Sequence, residues 1–192
     1  MNEEYLPDMF AKLKDYSEMA IDLAYSALIY GSEEIADQVL EIEKVVNKIH
    51  IDFELAILGE TNAQNPKAVL GAIRLSMAAE HLVDAAGLMA NIVKRGVHAH
   101  PIIQKALEGA EETIVQTEIS TTSILANKSL GELGLEDDLG LRIIAVKRGE
   151  TWTYAPKDEF FLNAGDIIIS RGFVEGREKL LALANPQEDT EE

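Results

Sequence analysis

Two acid pairs and four basic residues are the groups of this chain whose types and spacing could do chemistry. Glu18 and Asp22 stand four residues apart, and so do Glu80 and Asp84, so one Glu-x-x-x-Asp pattern occurs twice. Residues at that spacing share a helix face, and each pair would present two carboxylates together. Like charges so placed repel by about 0.2–0.5 kcal/mol unless a cation bridges them. Hard oxygen ligands of this kind suit magnesium, calcium or manganese better than zinc. Glu80 and Asp84 continue a row with Val69, Ile73 and Met77, which sets them on an apolar stripe. Glu18 and Asp22 share a side with Asp15, Tyr25 and Ile29, away from the stripe of Leu6, Phe10, Leu13, Ser17, Ala24 and Leu28, and are expected to face water. The alternative for all four is a solvated acidic face in an acidic chain.

Arg142, Lys147, Arg148 and Arg171 flank strand-like runs and could together receive an anion; the alternative is surface charge that balances nearby acids. His98 and His100 lie two apart in a turn flanked by Gly96 and Pro101, where they could share a metal, yet no third ligand accompanies them. His81 points away from Glu80 and Asp84 on its helix, and His50 flanks an apolar seam. There is no cysteine, hence no disulfide framework, thiolate metal site or thiol nucleophile. A Gly-x-Gly-x-x-Gly fingerprint, a phosphate loop, a nucleophile elbow and a His–Glu metallohydrolase helix are all missing. We therefore expect no NAD site and no enzymatic activity.

The elements that must position these groups fall into two sets. The formal charge of −17 over 192 residues argues against nucleic acid and anionic lipid as partners. No apolar run approaches the roughly 20 residues of a membrane span, so direct insertion is not expected. The start, Asn2-Glu3-Glu4, is acidic rather than basic, which fits a cytoplasmic protein. Residues 1–110 show helix punctuation: a helix from Asn2 to Gly31, a second capped by Ser32 and ended by Gly59, and a third opened by Asn65-Pro66 and closed by Lys94-Arg95-Gly96. A short fourth helix follows Pro101. Ile35, Val39, Ile42, Val46, Ile49, Phe53 and Ala56 alternate steps of four and three, a coiled-coil seam. With short connections this spells an antiparallel bundle of three long helices.

Residues 111–185 change character. Thr113–Ile119 alternates and is β-branched; Leu141–Val146 and Asp166–Ile169 are apolar runs bounded by glycines. Ser129–Leu133 is a short turn or helix, a turn follows at Tyr154-Ala155-Pro156, and Val174–Leu183 closes the unit as a helix. The fold class is thus α+β in two domains, and residues 186–192 form an acidic disordered tail.

The order Ser123-Ile-Leu-Ala-Asn-Lys-Ser-Leu-Gly-Glu-Leu-Gly134, Leu141-Arg-Ile-Ile-Ala-Val-Lys-Arg-Gly149, Asn163-Ala-Gly-Asp-Ile-Ile-Ile-Ser-Arg-Gly172 resembles the TrkA C-terminal domain. That family senses ligands in cytosolic subunits that gate potassium and other cation transporters. Some members bind a cyclic dinucleotide between two protomers and others bind divalent cations. The repeated Glu-x-x-x-Asp on a three-helix bundle resembles the PhoU family, whose motifs bind metal ions in the regulation of phosphate uptake. The resemblance carries over to Glu18, Asp22, Glu80 and Asp84 as metal ligands. Together the two imply a homodimer or higher oligomer that binds a nucleotide or cation and controls a separate membrane cation transporter. A metal-binding regulator of phosphate uptake and an oligomerisation adaptor without ligand are the rival readings.

Overall fold

The structure, a computed structural model, describes residues 5–59, 65–96 and 111–186. The chain divides into two compact units, Met1–His100 and Pro101–Glu192. The expected short helix after Pro101, the His98–His100 pair and the acidic tail from residue 187 lie outside the described residues.

The first unit holds α1 (Tyr5–Tyr30), α2 (Glu33–Gly59) and α3 (Pro66–Lys94). The expected caps are in place. Ser32 Oγ accepts from the Ile35 N–H (3.2 Å) and Asn65 Oδ1 from the Ala68 N–H (3.2 Å), with Pro66 filling a position that needs no donor. Lys94, in the last turn of α3, pairs with Asp37 (2.9 Å) and Glu33 (3.6 Å) in the opening turns of α2, so these helices run antiparallel. The seam of α2 is as expected: Ile35, Val39, Ile42, Val46 and Phe53 are buried, and Phe53 meets Phe10 at 5.8 Å between ring centres.

On α3 the expected stripe is corrected. Its buried side runs through Ser76, Ala79, Val83, Ala86, Ala90 and Val93, whereas Val69, Ile73 and Glu80 border it and Met77 and Asp84 are exposed. Small residues let α3 approach α1 and α2 closely, which leaves its larger side chains outside. No helix among the described residues is long and apolar enough to cross a membrane.

The second unit holds β1 (Glu112–Glu118), β2 (Lys128–Ser129), α4 (Leu130–Leu133), α5 (Leu135–Leu139), β3 (Leu141–Arg148), β4 (Thr151–Tyr154), β5 (Phe161–Leu162), β6 (Ile167–Phe173) and α6 (Val174–Ala184). Four strands form an antiparallel sheet in the order β1-β6-β3-β4, and β2 pairs with β5. Val115, Ile143, Val146 and Ile168 of the sheet pack with Leu125, Leu162 and Leu180 in one core. Ser129 and Glu132 make a reciprocal capping box at the head of α4. β4 enters where only a turn is expected at Tyr154, and the turn begins one residue later at Ala155 (φ 42°).

Candidate functional site

The four acids are split rather than gathered. Glu18 is 57% exposed at its side chain and pairs with Lys14 (3.1 Å) on its own helix. Asp22 is not on the water-facing side: at 8% exposure it lies among the buried residues of α1. The buried sector of α1 is broader than one stripe, reaching from Leu13 and Ser17 through Met19 to Ser26, because α2 and α3 both cover it. Asp22 and Glu18 therefore point to different environments. Among the described residues, no three His, Asp or Glu side chains stand close enough to hold a metal ion.

A different acid completes the α3 pair. Glu43 of α2 lies with its carboxylate over Gly87 of α3, in space that any side chain at residue 87 would fill. Burial, then the charges of Asp84 and Glu80, push the Glu43 carboxyl above its ordinary value. Three acids from two helices thus share a field. No fixed spacing in the sequence links Glu43 to Glu80; the only signal is an acid beside the Ile42 seam position facing a glycine on α3.

The raised value has a definite sign in stability. Folded Glu43 holds its proton more readily than the unfolded chain does, so stability falls as pH rises from about 4.3 through the raised folded value. The deficit persists at neutral pH. Glu43→Gln should accordingly raise the melting temperature of the helical unit by about 2–4 °C at pH 7, taking about 0.5 kcal/mol for relieved repulsion. At about pH 3 and below, where both states are protonated, the gain should vanish in a calorimetric scan.

In the second unit, three of the four basic residues share one sheet face. Arg142 on β3 sits directly opposite Arg171 on β6, and Lys147 sits opposite Ile167 and Trp152. Arg142 and Lys147 are five apart, and an unbroken strand would send them to opposite faces. The register shifts between Ile143 and Ala145, one residue is absorbed as a bulge at Ile144, and both side chains emerge on the face away from the core. They do not converge to one point. A step of four residues along β6 separates the two rows, about 13 Å, and buried Ala145 and Ile169 lie between them. At the Lys147 end, Trp152 and Tyr154 stack on the same face, nearly parallel (3°), with ring centres 6.1 Å apart.

Arg148 serves the fold. Its Nε and Nη2 donate to the two oxygens of Asp166 (2.8 and 2.7 Å), Nη2 also donates to the Phe161 carbonyl (2.7 Å), and the guanidinium lies 5.3 Å from the Phe160 ring centre. Asp166 is 1% exposed and accepts in addition from the Asn163 N–H (2.8 Å). This bidentate pair ties the end of β3 to the turn that opens β6. The turn itself needs Gly165 at φ 85°.

Residues 10–96 match the PhoU domain family and residues 114–184 the TrkA-C domain family. The chain is a PhoU domain followed by a TrkA-C domain, as the sequence patterns suggest. No curated protein matches it. Among solved structures it is similar to the regulator-of-conductance-of-K+ C domain of the potassium transport protein KtrA in complex with cyclic diadenosine monophosphate, at 29% identity over 43% of this chain and 95% of that one, TM-score 0.33. The GsuK channel bound to NAD is 17% identical over 59% of this chain and 20% of that one, TM-score 0.34. BusR of S. agalactiae in complex with its busA-promotor DNA is 19% identical over 68% of this chain and 64% of that one, TM-score 0.36.

Proposed function

We propose that this chain is a non-enzymatic cytoplasmic regulatory subunit whose TrkA-C unit takes a small anionic ligand and whose response controls a separate potassium or other cation transporter. The observation that carries the reading is the Arg142–Arg171 pair on a TrkA-C sheet. Two guanidinium groups set side by side on neighbouring strands can hold one anion between them. A cyclic dinucleotide suits the face chemically: its phosphates match guanidinium groups, and the Trp152–Tyr154 stack at the far row offers aromatic surface for a base. Assembly as a homodimer would double the face.

A thermal-shift panel of cyclic dinucleotides, NAD, adenine nucleotides, potassium and divalent metals tests this. A ligand at a hundred times its Kd adds about 2.7 kcal/mol, or about 10–20 °C for a unit of this size. The expected result is a shift with a cyclic dinucleotide that the double variant Arg142→Gln, Arg171→Gln removes. A shift with divalent metal alone, lost in Asp84→Asn, would transfer the ligand role to the bundle. No shift with any of them would leave the chain an adaptor and end the ligand reading.

A further inference from the structure

The outer faces of the three long helices differ in kind. That of α1 exposes Asp8, Lys12, Lys14, Asp15 and Glu18, and that of α2 exposes Glu34, Asp37, Glu41, Lys44, Lys48 and Asp52 before turning apolar at Ile51, Leu55 and Leu58. On α3 the exposed side holds Arg74, His81 and Asp84 among a larger number of apolar residues. Leu75 is 58% exposed, Leu82 48% and Leu88 70%, and Ile92 is exposed as well. Burial against α1 and α2 does not account for these leucines, because Ala79, Val83, Ala86 and Ala90 already fill that side.

One row on this side, exposed except at half-buried Gly71 and Met89, has a regular order. Ala68, Gly71, Leu75, Ala78, Leu82, Ala85, Met89 and Ile92 alternate steps of three and four, the period of a helix-to-helix seam. Their sizes are ordered too. In an antiparallel pair of identical helices centred on residue 80, Ala78 meets Leu82 of the second copy, Leu75 meets Ala85, Gly71 meets Met89 and Ala68 meets Ile92. Each layer then sets one large side chain against one small one, the pattern that fills a seam evenly. A parallel pair would stack Leu75 on Leu75 and Ala78 on Ala78, alternating bulges with gaps. We infer that the outer face of α3 binds the same face of a second copy of this chain, antiparallel, with the two-fold axis beside residue 80.

The flanks agree with that register. Arg74 falls beside Leu88 of the second copy rather than beside another Arg74, and the one residue that meets itself is His81, next to the axis. The seam is about 36 Å long and about 10 Å wide, burying about 700 Å² over both copies. That is below the usual range for a stable dimer, so the contact is a reversible clasp. It is independent of any ligand at the TrkA-C sheet.

Because the chain has no cysteine, single-cysteine variants of the whole protein test the register cleanly. His81→Cys should give a covalent dimer with a short bis-maleimide, at least tenfold more than Arg74→Cys or Leu88→Cys alone, while a mixture of the last two should also cross-link. Adding Leu82→Glu to His81→Cys should remove the product without lowering helix content by circular dichroism. Equal cross-linking at residues 74, 81 and 88 would mean a parallel pair and would overturn the register. Cross-linking at none of them, or cross-linking that survives Leu82→Glu, would assign the face to another molecule and overturn the inference; dimerisation through the TrkA-C unit alone gives that same negative result.

Discussion

Asp166→Ala will lower the melting temperature of the TrkA-C unit by about 10–20 °C, read by the fluorescence of Trp152. The carboxylate is 1% exposed and carries the two Arg148 bonds and the Asn163 N–H. Breaking a buried ion pair costs about 3–5 kcal/mol, but the Arg148 side chain is 47% exposed and can turn to water, which reduces the cost to about 2–3 kcal/mol. In a unit of this size each kcal/mol moves the midpoint by about 4–8 °C. Asp166→Asn keeps an acceptor for Asn163 and loses only the charge, so it should fall between the two. Trp152 is the only tryptophan and sits on β4, so its signal reports this unit and not the helical one. A loss of less than about 1 kcal/mol in Asp166→Ala would show that the pair is held by the turn rather than holding it.

Gly172→Ala should be at least as damaging. A Cβ on Gly172 (φ 156°) would land on the carbonyl oxygen of Gly140, and that oxygen is not free to retreat, because it accepts from the Phe173 N–H (3.1 Å). Backbone meets backbone, so β6 must move away from the end of β3. We expect a loss of about 3 kcal/mol, from overpacking and backbone strain combined. The strain would also displace Arg171 from Arg142 and with it any anion response. Gly149→Ala is the matched control. Its φ is 59° but nothing lies within 4 Å of its Cβ position, so it should cost only about 1 kcal/mol. Equal melting curves for the two alanine variants would mean that backbone conformation, not the collision, sets the requirement.

Helix ends were legible because each has a chemical signature of its own: Ser32 and Asn65-Pro66 open helices with hydrogen bonds that depend only on local spacing. The cores of β1, β3 and β6 were legible as β-branched runs. Beyond Ile169 the apolar signal of β6 stops, yet the strand continues through Ser170, Arg171 and Gly172, because it is paired on both sides. The buried face of α3 was hidden for a different reason. Both sides of that helix are apolar, and the larger residues, which dominate any periodicity, lie on the outer one. Asp22 was misplaced by the same weakness: a helix covered by two neighbours buries more than one stripe. Arg148 was grouped with the anion-binding candidates because its partner is 18 residues away, across a turn. Glu43 had no motif to belong to.

The bulge at Ile144 has a consequence for how this chain can be altered. β3 is two half-strands whose alternation is out of step, joined by one residue that resets the count. Deleting that residue would leave Leu141, Ile143 and Val146 alternating toward the core without a break and keep Arg142 and Lys147 on one face. One residue added beside it would instead put the two halves out of step, and either Lys147 would be driven against the Leu162–Ile168 core or Arg142 would be. A single codon gained at this point would therefore be felt as the burial of a charge, while the same gain in the Gly149–Glu150 turn would change only the length of a hairpin.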